Sequence, residues 1–210
     1  MLLMKNNVSE YNRDQLISFQ AISKVLEQLS PTETGRLEEM IQPYLAFRRR
    51  VDMYAAEYFQ AFCGRACFET GLSACCGFES IITFFADQVI TVLTSQTKDL
   101  VTLFETLRKP NDTGKCVYLG PKGCIWRVRP VSCAMFFCQD AKENVFRANP
   151  EAESLWKMLI EEERGYTWPT TTVLFDEVEK YFLRFGVESP HLYFHKSPGL
   201  LKLKSESGVA

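Results

Sequence analysis

Eight cysteines carry most of the chemistry open to this sequence. Cys63, Cys67, Cys75 and Cys76 fill one short window, and Cys116, Cys124, Cys133 and Cys138 fill a second. The gaps between successive cysteines are 3, 7, 0, 39, 7, 8 and 4 residues, with none in the first 62 or last 72 positions. Inert core thiols would be scattered along the chain, so this clustering points to ligands. Soft thiolates select zinc, copper(I) or iron–sulfur clusters over oxygen-seeking metals. Structural zinc often uses two-residue gaps between cysteines, and none occurs here. Iron–sulfur ligation is more varied in spacing, so the pattern leans toward a cluster of the 4Fe–4S type, with zinc as the alternative. Two windows of four imply either one site built by both or two centres. Adjacent Cys75 and Cys76 have diverging side chains. They are expected to serve different ions, or one of them to stand behind the ligands.

The surroundings suit an anionic centre. Two four-thiolate centres would take the formal charge of −2 to about −6. Lys115, Lys122, Arg127 and Arg129 lie among or beside the second set of cysteines. Arg127 and Arg129 are the candidates to face a bound cofactor from behind its ligands and to tune it through charge and hydrogen bonds to sulfur. Phe62, Phe68, Trp126, Phe136 and Phe137 either exclude water from the centre or serve as ordinary core.

The motif "CVYLGPKGCIWRVRPVSC", preceded by "CFETGLSACC", resembles the YkgJ-type cysteine-cluster family, whose domain is described as zinc- or iron-chelating. The residues that carry the resemblance are Cys67, Cys75 and Cys76, then Cys116, Leu119, Gly123, Cys124, Trp126, Arg129, Pro130 and Cys133. It covers residues 63–138. The stretch from Cys124 to Cys133 matches in order and spacing. The first window departs from the family pattern, because seven residues separate Cys67 from Cys75. Ala134 also stands where many relatives have a basic residue. Larger relatives include flagellin lysine N-methylases that use S-adenosylmethionine, so the resemblance also implies a protein methylase as an alternative. The chain shows no glycine-rich strand–turn–helix motif for that cofactor.

The remaining residues offer less chemistry. His191 and His195 are the only histidines, and they read as a near-terminal polar face, since eight thiolates already suffice for a metal. No Ser–His–Asp or Cys–His arrangement is evident. The acidic residues at 161–163 and 176–179 read as solvated helix faces, as does Arg48–Arg50. A formal charge of −2 argues against a nucleic-acid binder driven by charge. The amino-terminal apolar run is too short for an export signal. The apolar stretch 78–93 is too short to cross a bilayer and contains Glu79 and Asp87. A cytoplasmic protein with reduced thiols is therefore expected, one that meets a protein partner or protein substrate but neither nucleic acid nor membrane.

The elements that must position the cysteines read as helices. Apolar residues recur every three or four positions in 9–29. "SPTE" at 30–33 predicts a capped start for a long helix that delivers the chain to Cys63. Residues 63–76 are expected to form an irregular loop, and a further helix is expected over 79–108, interrupted near "TSQT". "KPNDTG" breaks the chain before the second window. Helices are expected again from Pro150 and through 170–186, with Gly186 as a stop and a loose tail from 197. The expected architecture is mainly α: a single helical domain over 1–210, with two irregular cysteine-rich loops forming a metal centre. Residues 1–62 supply amino-terminal helices, 63–138 the cysteine-cluster region, and 139–210 carboxy-terminal helices and tail.

Overall fold

The computed structural model describes residues 8–77, 82–111 and 113–209, and these are predominantly helical. Helix α1 (Glu10–Leu26) starts where the Asn12 amide donates to Ser9 Oγ at 3.1 Å. Helix α2 (Pro31–Tyr54) starts with the expected capping box, in which Ser30 and Glu33 bond each other's backbone amides. Leu37, Ile41, Tyr44, Phe47, Val51 and Tyr54 form its buried stripe. From Ala55 to Phe68 the chain continues as a π-helical segment. Helices of this type are rare, and most last a single turn at functional sites. Cys63 and Cys67 therefore sit on a widened helix, and only 69–77 is irregular, rather than the whole of 63–76.

The helix expected over 79–108 is two: α3 (Phe85–Thr94) and α4 (Thr97–Leu107). The break at Ser95–Gln96 is capped by Asp99, whose carboxylate accepts the Gln96 amide at 3.3 Å. Positions 79–81 of the expected helix lie outside the described residues. The second cysteine window contains a two-stranded antiparallel hairpin, β1 (Leu119–Gly120) and β2 (Gly123–Cys124), with Leu119 opposite Cys124. Gly123 has φ +102°, which a side chain would strain. A single turn, α5 (Val131–Ala134), follows. Then come α6 (Gln139–Ala148), α7 (Pro150–Thr167), α8 (Leu174–Leu183), α9 (Tyr193–Lys196) and α10 (Pro198–Glu206). Gly186, at φ +69°, follows α8 as expected.

The core is one large apolar cluster and a smaller one. The large cluster draws Ile22, Tyr44, Phe47, Phe59, Val89, Phe137, Trp156, Phe175 and Phe182 from elements along most of the chain. The smaller cluster is Phe19, Leu103, Leu107, Tyr118 and Trp126, so α1 and α4 form an apolar base for the second cysteine window. No helix among the described residues is long and apolar enough to cross a membrane.

Three expectations fail for one reason, which is that charged residues pair off inside the fold. The tail is not loose after 197: α10 brings Lys204, itself buried, to Asp176 at 3.0–3.1 Å. Asp176 and Glu179 are not solvated, since both are buried on α8. His195 bridges them, with Nε2 3.3 Å from Asp176 and Nδ1 3.0 Å from Glu179. His191 is buried too, its Nδ1 3.3 Å from the Tyr193 hydroxyl. Its carbonyl accepts the Phe85 amide at 3.1 Å, which fastens the start of α3.

Burial pulls the His191 imidazole from its usual range down to about 4. Between pH 6.5 and 4 the unfolded chain therefore binds a proton that the folded chain does not, and stability is lost as pH falls. From pH 7 to 5 the wild type should lose about 2 kcal/mol more than His191→Gln in urea unfolding. An equal loss in both would show that His191 is not held neutral by burial.

Candidate metal centre

Two backbone contacts bring the cysteine windows together. The Cys116 amide donates to the Cys76 carbonyl at 2.8 Å, and Gly77 pairs with Lys115 in an antiparallel bridge. Lys115 adds a side-chain clamp, donating from Nζ to the carbonyls of Leu72 at 2.5 Å and Ser73 at 3.5 Å. Its charge thus serves the first loop's backbone. Ser73 has φ +38°, a conformation that non-glycine residues adopt at some strain. There it accepts the Cys76 amide at 3.0 Å and donates its own to the Cys67 carbonyl at 3.1 Å, folding the loop back on the π-helical segment.

The segment 128–133 is anchored from below by α2 and α3. Arg48 Nη1 donates to the Arg129 carbonyl at 2.6 Å, and Thr91 Oγ1 donates to the Val128 carbonyl at 3.1 Å. The Val131 amide donates to Asp87 Oδ1 at 3.0 Å, and Ser132 Oγ to the Ile82 carbonyl at 2.6 Å. Asp87 also accepts the Phe84 amide at 3.2 Å. Arg48 is only 2% exposed and is not part of a solvated basic run. Burial drives the Asp87 carboxyl up to about 7, against the amide hydrogen bonds and the Arg48 charge that favour its ionised form.

Backbone amides are aimed at several of the sulfurs. The amides of Tyr118 and Leu119 favour the Cys116 thiolate and that of Trp126 the Cys124 thiolate, while the Leu119 amide donates to the Cys116 carbonyl at 3.0 Å. The Ala74 amide donates to Cys67 Sγ at 3.4 Å. Such bonds stabilise a thiolate. Burial works the other way and dominates at four sites: Cys63 is pushed up to about 11, Cys116 to about 12, and Cys124 and Cys133 upward. Two exposures stand out, since Cys75 and Cys124 reach solvent while the other six are partly covered. All eight are thiols, with none in a disulfide.

The side chains of Cys75 and Cys76 do not simply diverge. Cys75 donates a thiol hydrogen bond to Cys76, which raises the pKa of Cys75 and lowers that of Cys76. Arg129 was expected to face a bound cofactor, and its charge acts on four of the sulfurs. Its guanidinium opposes the larger upward effects on Cys63, Cys75, Cys124 and Cys133, and it pairs with Asp52 at 3.3 Å. Arg127 is exposed and makes no hydrogen bond or ion pair among the described residues, so it does not share that place. Of the aromatic residues, Phe137 stacks on Phe59 at 3.7 Å in the large cluster, whereas Phe136 is exposed. Trp126 packs edge-on against Phe19 at 5.3 Å and Tyr118 at 5.2 Å.

The donor set is all soft sulfur, which fits zinc or iron–sulfur chemistry. Among the described residues, however, no three Cys, His, Asp or Glu side chains converge closely enough to hold a metal ion. The windows are brought together, but a closed ligand shell is not formed. Sequence reasoning missed Arg48 and Asp87 as the supports of this region. Both were detectable: Arg48 lies four residues after Tyr44 on an apolar stripe, and Asp87 is the sole acid in a run of buried residues.

The thiol hydrogen bond has a measurable consequence. In the reduced, metal-free chain at pH 7.5, iodoacetamide should modify Cys76 before the other cysteines, and Cys75→Ala should erase that lead. Uniform rates across the eight sites would contradict the pairing. No family model matches this chain, and neither a curated protein nor a solved structure does.

Proposed function

We propose that this protein binds metal through cysteine thiolates in one or two centres, with an iron–sulfur cluster favoured over zinc. The observation that carries the reading is that the Cys116 amide bond to the Cys76 carbonyl and the Gly77–Lys115 bridge join the two cysteine windows, with the Ala74 amide on Cys67 Sγ beside them. A metal-bound thiolate has its charge spread by such donors. The resemblance to the YkgJ-type family supports the same chemistry. Arg129 would offset the charge of a bound centre, and Cys75 and Cys124 would set its edge at the surface. An exposed edge suits electron transfer, redox sensing or cofactor handling with a protein partner or protein substrate.

A structural zinc module is the second reading. The tight hairpin between Cys116 and Cys124 favours it, because a two-stranded turn with amides aimed at its cysteines also suits a tetrahedral ion. The methylase alternative lacks such support: the described residues hold a two-stranded antiparallel sheet, not the parallel sheet on which nucleotide-type cofactors commonly sit.

Anaerobic purification followed by iron, sulfide and zinc analysis separates these readings. The proposal predicts a coloured protein with inorganic sulfide and iron in similar amounts. A colourless protein with stoichiometric zinc would favour the structural module. A metal-free protein with eight reactive thiols would contradict both.

A further inference from the structure

We infer that the eight cysteines divide into two separate four-sulfur centres, one of Cys63, Cys67, Cys75 and Cys138 and the other of Cys76, Cys116, Cys124 and Cys133. The division falls at the Cys75–Cys76 peptide, and Arg129 is shared between the two. This deepens the thiolate reading above and rests on it.

The first set belongs to one side of the fold. Cys63 and Cys67 are four residues apart on the π-helical segment, so they lie close to one face. Cys138 caps the start of α6, which packs on that segment. Phe59 and Phe137, stacked at 3.7 Å, lock the two elements together next to these cysteines. Cys63 and Cys138 both pack against the large apolar cluster. The loop that carries Cys75 is tied to Cys67 through the Ala74 amide on its sulfur and the Ser73 amide on its carbonyl.

The second set belongs to the other side. Cys116 packs against the smaller apolar cluster and bonds Cys76 through its backbone. Cys116 and Cys124 flank the hairpin, and Cys133 sits on the turn α5 that Asp87 and Ser132 hold in place. Apart from the Cys75–Cys76 pair at the division itself, the fields at Cys63 and Cys76 follow the same partition. Cys63 feels Cys75, Cys138 and Cys67, whereas Cys76 feels Cys116, Cys124 and Cys133. Two influences of Cys75 cross the line, its thiol hydrogen bond to Cys76 and its field at Cys133, and both fall where the sets meet. Arg129 acts on two sulfurs of each set: Cys63 and Cys75, Cys124 and Cys133. Neighbouring cysteines that serve different centres are familiar chemistry, since two-cluster ferredoxins lend a ligand from one run to the other cluster.

The test is the iron and zinc content of the full-length protein and its cysteine variants, purified anaerobically and checked for helicity by circular dichroism. Cys67→Ser, Cys75→Ser and the pair together should each retain about half the wild-type metal. Cys76→Ser, Cys116→Ser and their pair should retain the other half. Cys75→Ser with Cys116→Ser should retain almost none. Cys63→Ser and Cys124→Ser repeat the comparison where a first variant loses helicity. Arg129→Gln should lower retention in both half-loaded backgrounds. If any single substitution removes all the metal with helicity intact, or if Cys75→Ser with Cys116→Ser still holds half, the division is overturned. A wild-type protein with no metal would overturn the thiolate reading itself, a separate result.

Discussion

Arg48 and Asp87 are buried ionisable groups, and each makes a hydrogen bond with the backbone of one short segment. Arg48 holds the Arg129 carbonyl and Asp87 holds the Val131 amide. The position of Cys133 and of the Arg129 side chain follows from those two bonds, as does the path of the chain toward Cys138. Charged groups removed from water are strongly destabilising unless they are bonded. Their bonds to segment 128–133 therefore offset part of the cost of burying them. The Tyr44 hydroxyl links them, 3.3 Å from Arg48 and 3.4 Å from Asp87, so the anchor works as one unit across α2 and α3.

The same logic explains why two loops so far apart in sequence meet. The first window is held by backbone and lysine contacts to the second, and the second is held by the helices beneath. Below the hairpin, Tyr118 donates to Gln15, and Gln88 donates to the same Gln15 oxygen, which binds the smaller apolar cluster to α1 and α3. The sulfurs are thus carried on a helical segment, a hairpin, a single turn and the loops between them, each tied to the framework by its own hydrogen bonds.

Much of the helical framework was legible in the sequence, because it rests on local signals. Ser30, Pro31 and Glu33 marked the start of α2, Pro150 that of α7, and Gly186 followed α8. What could not be read depended on distant partners. Arg48, Asp176, Glu179 and His195 look like surface residues until the elements that pair with them are in place. The widening of the helix over 55–68 has no local signature, since apolar spacing barely distinguishes it from an α-helix. At the site, cysteine clustering foretold that the windows meet. Arg127 is exposed, whereas the Arg129 side chain pairs with Asp52 while its carbonyl is held by Arg48.

The central claim is that sulfur, supplied by these converging loops, is what holds a metal here. X-ray absorption at the metal edge of the anaerobically purified protein tests it most directly. The account predicts a first shell made wholly of sulfur, at about 2.3 Å for zinc or iron. A shell of nitrogen and oxygen, or no bound metal to measure, would contradict it.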